Sequence, residues 1–253
     1  MKALLRNLIP PLMAAAMALA PFPARANVIT MSATYYTITS SDQDVNVLAT
    51  GLFNNEVQSG LGPDGLPVLN AAAYGCTSGC FTIAPLPQDL TASGEITWWS
   101  PSLNSDVTET GTGSITLPYS NVNFYPPNGT GASDGGTTGF QAAVFSTILN
   151  VPSPESISFN IGADDVAFVY LDGSVVCEVG GVHGDMPGTC TSSTLTTGNH
   201  TLQLFYADLE LVDAELTFNV TTSNINSTPE PASFVMICTA LAGFGVIRRR
   251  RTR

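Results

Sequence analysis

Apolar and polar residues alternate with a period of two through much of the chain. Ile157, Phe159 and Ile161 alternate with Ser156, Ser158 and Asn160; Leu202, Leu204 and Tyr206 with Thr201, Gln203 and Phe205; Leu216, Phe218 and Val220 with Glu215, Thr217 and Asn219. Successive side chains of a strand point to opposite faces, so this spacing predicts half-buried strands. Val166 to Leu171 breaks the rule: Val166, Phe168 and Tyr170 on one face and Ala167, Val169 and Leu171 on the other are all apolar, which predicts a strand buried on both sides. Asp172-Gly173 then reads as a two-residue hairpin turn, because both residues tolerate positive φ, and Ser174 to Val179 is expected to return antiparallel. Helical periodicity is essentially absent. Residues 100–140, rich in Ser, Thr, Gly, Asn and Pro, read as long surface loops around a few edge strands. The pattern predicts an all-β fold, an antiparallel β-sandwich of jelly-roll-like form with long loops.

The two ends differ in kind from this middle. Met1 to Ala26 carries Lys2 and Arg6, an apolar stretch from Leu8 to Ala20, and Ala24-Arg-Ala26 as a small-x-small cleavage site. That is the pattern of a secretory signal peptide. At the other end Thr228-Pro-Glu-Pro231 precedes the apolar stretch Ala232 to Ile247 and the basic cluster Arg248 to Arg251 with Arg253. Pro-Glu-Pro, a short apolar segment and arginines, in that order, resemble the PEP-CTERM sorting signal. The resemblance implies transient membrane anchoring by 232–247, removal by an exosortase, and export to the outer surface or extracellular matrix of an exopolysaccharide-making Gram-negative bacterium. A single-pass anchor is the competing reading of the same residues. The expected organisation is a signal peptide over 1–26, an N-terminal part of the β domain over 27–93, a sandwich core over 94–222, a linker over 223–228 and the sorting signal over 229–253.

Setting both ends aside changes the electrostatics. All eight Lys and Arg residues lie in the terminal segments, whereas nineteen of the twenty acids lie between Asn27 and Thr228. Nothing in that span neutralises phosphates, so nucleic-acid binding is excluded. Nor can a buried carboxylate there pair with Lys or Arg. It must be protonated, be capped by N–H groups, or hold a metal ion.

With Cys238 in the sorting segment, Cys76, Cys80, Cys177 and Cys190 remain, an even number in an exported chain. Three pairings are possible. We favour Cys76 with Cys80 and Cys177 with Cys190, the second tying the hairpin to the loop that follows it.

Ala163-Asp-Asp-Val-Ala-Phe-Val-Tyr-Leu-Asp-Gly173, then Glu178-Val-Gly-Gly-Val-His-Gly184, then Leu202-Gln-Leu-Phe-Tyr-Ala207 together resemble the fibro-slime domain. That family is related to the β-sandwich shared by anthrax protective antigen and yeast flocculin-type adhesins. Gly94-Glu-Ile-Thr-Trp-Trp-Ser100 and Asn123-Phe-Tyr-Pro126 extend the resemblance, which covers about residues 94–220. In the adhesin relatives an Asp-Asp pair joined by a cis peptide binds calcium, and the ion in turn holds a sugar's hydroxyls. The resemblance implies that Asp164 and Asp165 are calcium ligands. Adjacent residues of a trans, extended chain point apart, so both can grip one ion only from a turn or across a cis bond. Calcium takes six to eight oxygens, more than two carboxylates supply. The loop Asp208-Leu-Glu-Leu-Val-Asp213 leaves one strand and returns at Glu215, which makes Asp208 the candidate third ligand.

His183 and Gly181, in the intervening loop, are the candidate ligand-contacting residues. Gly180, Gly181 and Gly184 are expected at turns with positive φ. Of Trp98 and Trp99, adjacent in a strand, one is expected in the core. Catalysis is not expected, because neighbouring carboxylates lack the separation that glycoside hydrolysis needs and no nucleophile elbow, zinc-binding helix or phosphate loop occurs. Two functions fit these residues: a calcium-dependent carbohydrate-binding, adhesin-like module that engages exopolysaccharide or another surface glycan, or a non-lectin matrix or surface protein whose acidic sandwich assembles through divalent ions.

Overall fold

The computed structural model describes residues 28–45, 51–72, 75–78, 87–121, 139–210 and 214–227. The terminal segments 1–26 and 229–253, Cys80, the side chain of Cys76, the Asn123 to Pro126 motif and Asp213 lie outside the described residues.

The chain is an antiparallel β-sandwich. Its strands are β1 (Thr30–Ile38), β2 (Leu52–Asn54), β3 (Val57–Leu61), β4 (Pro67–Leu69), β5 (Gly75–Ser78), β6 (Val107–Thr116), β7 (Tyr119–Asn121), β8 (Phe140–Val151), β9 (Ser158–Asp164), β10 (Val166–Leu171), β11 (Ser174–Val179), β12 (Met186–Thr191), β13 (Gly198–Ala207), β14 (Glu215–Val220) and β15 (Asn226–Ser227). The larger sheet has the order β4-β3-β11-β10-β13-β8-β1-β6, with β15 also on β8; the smaller has β12-β9-β14-β7, and β2 pairs β5.

The doubly apolar strand explains the layering. Ala167, Val169 and Leu171 of β10 face one core together with Phe145 of β8 and Phe159 and Phe218 of the smaller sheet. Val166, Phe168 and Tyr170 face a second core, roofed by Ile96, Trp98 and Trp99. The larger sheet is thus covered on both faces, by the smaller sheet and by the segment before β6. Asp172 (φ 50°) and Gly173 (φ 73°) make the expected hairpin turn, and β11 returns antiparallel to β10. Cys177 of β11 is bonded to Cys190 of β12, a cross-link between the two sheets.

Within 100–140, residues 107–116 form an edge strand, as expected of this stretch, paired with β1 along most of its length. Its run Thr-Glu-Thr-Gly-Thr-Gly-Ser exposes mostly polar groups at a sheet edge and buries little besides Val107 and Ile115. Polarity hid its bounds, although its threonines favour a strand. The expectation for the tryptophans is corrected: Trp98 and Trp99 are both buried, because they occupy a turn rather than a strand, and their rings meet edge to face at 5.5 Å. The strand β1, from before residue 94, sits inside the larger sheet between β8 and β6.

Candidate metal and ligand site

Three strand ends meet at one end of the sandwich. Asp164 closes β9 in the smaller sheet and Val166 opens β10 in the larger, so the Asp164-Asp165 step is the crossover between layers. Val166 is paired with Ala207, the last residue of β13, which brings Asp208 alongside Asp165. β11 flanks β10 on the other side and delivers the loop 180–184 to the same end. The Asp164-Asp165 peptide is cis. Carboxylate oxygens of Asp164, Asp165 and Asp208 lie within 4.8 Å of one another.

All three side chains are buried, at 4%, 0% and 0% exposure, in a span without Lys or Arg. Asp165 Oδ1 accepts the N–H of His183 at 2.7 Å, and Oδ2 accepts those of Leu209 at 2.7 Å and Glu210 at 3.0 Å. One carboxylate therefore holds both neighbouring loops. Burial pushes its pKa up to about 7 against the pull of the Leu209 and His183 N–H groups, with the Glu210 charge adding to the rise. Asp208 Oδ1 accepts the N–H of Glu210 at 3.3 Å. Behind the pair, Tyr206 Oη donates to the carbonyl of Asp164 at 2.7 Å, and Trp99 Nε1 donates to the carbonyl of Tyr206 at 2.7 Å.

The loop residues expected to meet a ligand are turned inward. His183 is 4% exposed; its Nδ1 lies 2.8 Å from the carbonyl of Gly184 and its Nε2 3.2 Å from that of Gly180. Burial lowers its pKa, partly offset by those carbonyls, and the ring's two contacts to the loop's own carbonyls organise the loop. Gly181 is buried at φ 89°, and a Cβ there would stand 2.3 Å from the carbonyl oxygen of Gly51. Positive φ occurs at Gly181 but not at Gly180 or Gly184.

Sequence reasoning missed Glu56. Fully buried, it accepts the N–H of Gly181 through Oε2 at 2.8 Å from 125 residues away, and burial, opposed by that N–H, pushes its pKa up to about 8. Its neighbours Asn54, Asn55, Val57 and Gln58 form no pattern that marks a buried acid.

A second acidic group, Asp42, Asp44 and Asp89, is also within 4.8 Å. Here protein donors fill the carboxylates: Asp44 accepts Gln88 N, Asp89 N and Trp98 Nε1 at 2.8, 3.0 and 3.0 Å, and Asp42 accepts Asp44 N and Asn104 Nδ2 at 2.8 and 2.9 Å. These bonds pin the segment that roofs the second core.

Neither a protein-family model nor a curated protein matches the chain. Among solved structures it is similar to a β-glucosidase from Kluyveromyces marxianus (11% identity, TM-score 0.27, 41% of this chain and 12% of that one). It is also similar to a PA14 sugar-binding domain from an RTX adhesin (12%, 0.35, 79% and 94%) and to the epithelial adhesin 9 A domain of Candida glabrata in complex with Galβ1-4GlcNAc (12%, 0.37, 81% and 88%).

Proposed function

We propose that the protein is a calcium-dependent carbohydrate-binding module of an exported surface or extracellular-matrix protein, processed at its C-terminal signal by an exosortase. The observation that carries the reading is the convergence of Asp164, Asp165 and Asp208, three buried carboxylates within 4.8 Å of one another in a span whose sequence holds no Lys or Arg. Ligand oxygens around one calcium ion stand roughly 2.3–2.6 Å from it, so a cluster within 4.8 Å suits a single ion. Asp164 and Asp208 would supply oxygens directly. Asp165 would do so while holding the His183 and Leu209 loops in place. Bound calcium is a hard cation whose remaining positions accept neutral oxygens, including vicinal hydroxyls of a saccharide. Gly184 leaves the approach clear: it is exposed, and a Cβ there would stand 4.0 Å from Asp164 Oδ2.

A glycan array probed with the protein in calcium and in chelator tests the reading. Calcium-dependent retention on a defined glycan is expected. Ion-dependent self-association with no retained glycan would favour the matrix building block instead. For export, the intact mass of the extracellular species is expected to correspond to a chain starting at Asn27 and ending near Thr228; a species retaining Arg248 to Arg253 would remove the sorting step.

A further inference from the structure

The larger sheet opens between β3 and β11. These neighbours share one ladder pair, Ser174 with Gly60, reinforced by the N–H of Leu61 donating to the carbonyl of Gly173 at 3.2 Å. At the far end Phe53 bridges Gly180, its N–H donating to that carbonyl at 2.8 Å. Between the two closures the strands part around a cleft of about 680 Å³. A side chain spans the gap. The Glu178 carboxylate accepts the N–H of Asn55 and those of Glu56 and Val57. It thereby links β11 to the turn that precedes β3 through a side chain rather than through a backbone ladder.

The lining points to one ligand chemistry. Val57 and Val175 belong to one core while Val176, Cys177 and Cys190 belong to the other, so the cleft cuts through the sheet and offers apolar surface from both layers. Its polar groups are the neutral Asn55, Gln58, Ser59 and Asn70, with Glu178 as the single acid. Gln58 is oriented by one N–H donated to the carbonyl of Leu69 at 3.1 Å. Carboxamides both donate and accept, which matches hydroxyl groups that do the same. An anionic ligand meets no Lys or Arg anywhere from 27 to 228. An extended peptide adding to the sheet is excluded by the closures at Gly60 and Phe53. The volume lies within the range of small-molecule sites, roughly 300–1,000 Å³.

We infer that the cleft between β3 and β11 is a second, calcium-independent binding site for a neutral saccharide of two or three sugar units, with Gln58, Asn70 and Asn55 as its hydrogen-bonding residues. The ligand class deepens the carbohydrate reading above, but the site shares no residue with the acidic cluster. Val176 is half-buried and lines the cleft, so Val176→Phe adds bulk to its wall.

The test is calorimetric titration of the full chain, in chelator and in calcium, with lactose, cellotriose, mannotriose and the anionic trigalacturonate. Binding of at least one neutral probe in chelator is expected. It should weaken at least tenfold in Gln58→Ala/Asn70→Ala and in Val176→Phe, and persist in Asp208→Asn. Silence of every neutral probe in chelator overturns the inference, as does undiminished binding in both cleft variants or equal binding of trigalacturonate. A wild-type chain that binds a neutral probe in chelator but shows no calcium-dependent component would instead count against the acidic cluster.

Discussion

The hydroxyl of Tyr206 donates to the main-chain carbonyl of Asp164 at 2.7 Å. Both groups are buried, and the bond ties the end of β13 to the crossover between the sheets. Tyr206→Phe removes this buried hydrogen bond, which costs about 0.5–1.5 kcal/mol. Denaturant melts should show this loss with an unchanged m value, and calcium affinity should fall because Asp164 and Asp208 are no longer held in register.

The loop 180–184 gives a sharper substitution. Gly181→Ala places a Cβ in a left-handed backbone and 2.3 Å from the Gly51 carbonyl oxygen. The expected cost exceeds about 1 kcal/mol. Since His183 N holds Asp165, calcium binding should weaken in parallel. A Gly181→Ala protein with wild-type melting and affinity would detach this loop from the site.

The pH dependence has a definite sign. Glu56, Asp165 and Asp42 have folded pKa values raised by burial to about 8, about 7 and about 6. His200 is also raised, chiefly by the hydrogen bond to Asp172, at 2.6 Å. A raised folded pKa means that the folded state binds protons more tightly. The associated stability is fully present below the unfolded pKa, near pH 4 for the carboxylates, and is lost as pH rises through the folded value. In chelator the protein should therefore be more stable at pH 5 than at pH 8, as read by urea midpoints. Calcium should reduce that difference, because an ion replaces the proton on Asp165.

The cross-link between the sheets is the next test. Cys177 and Cys190 close a loop of 13 residues, and removing the bond costs roughly 3 kcal/mol in the chain-entropy model. Cys177→Ser/Cys190→Ser should lose about this much stability in denaturant melts.

How far the chain could be read before folding follows from where the information sits. β10 was legible because both of its faces are apolar, and Asp172-Gly173 because only certain residues accept its backbone. The proximity of Asp208 to Asp165 was legible only as loops at one end of a sandwich; the pairing of Val166 with Ala207 supplies the contact. The bounds of β6 were not legible because a polar edge strand resembles a loop in hydropathy. Glu56 was hidden for a different reason: its partner, Gly181, is distant in sequence, and no local pattern marks a carboxylate that reaches across a fold. The inward turn of His183 follows from two backbone carbonyls that no residue identity announces.

The bonding of Asp165 also decides which substitution is informative. Asp165→Asn would set an amide N–H against a backbone donor, since three N–H groups already converge on the carboxylate. Asp208→Asn removes charge with less disturbance of that network. The most direct measurement is calorimetric titration of calcium into the wild-type chain and Asp208→Asn. One ion per chain is expected for the wild type, with a dissociation constant of roughly 0.1–1 mM as in extracellular calcium modules, and at least tenfold weaker binding for the variant. No calcium binding by the wild type, or the same affinity in Asp208→Asn, would contradict a calcium site built from Asp164, Asp165 and Asp208.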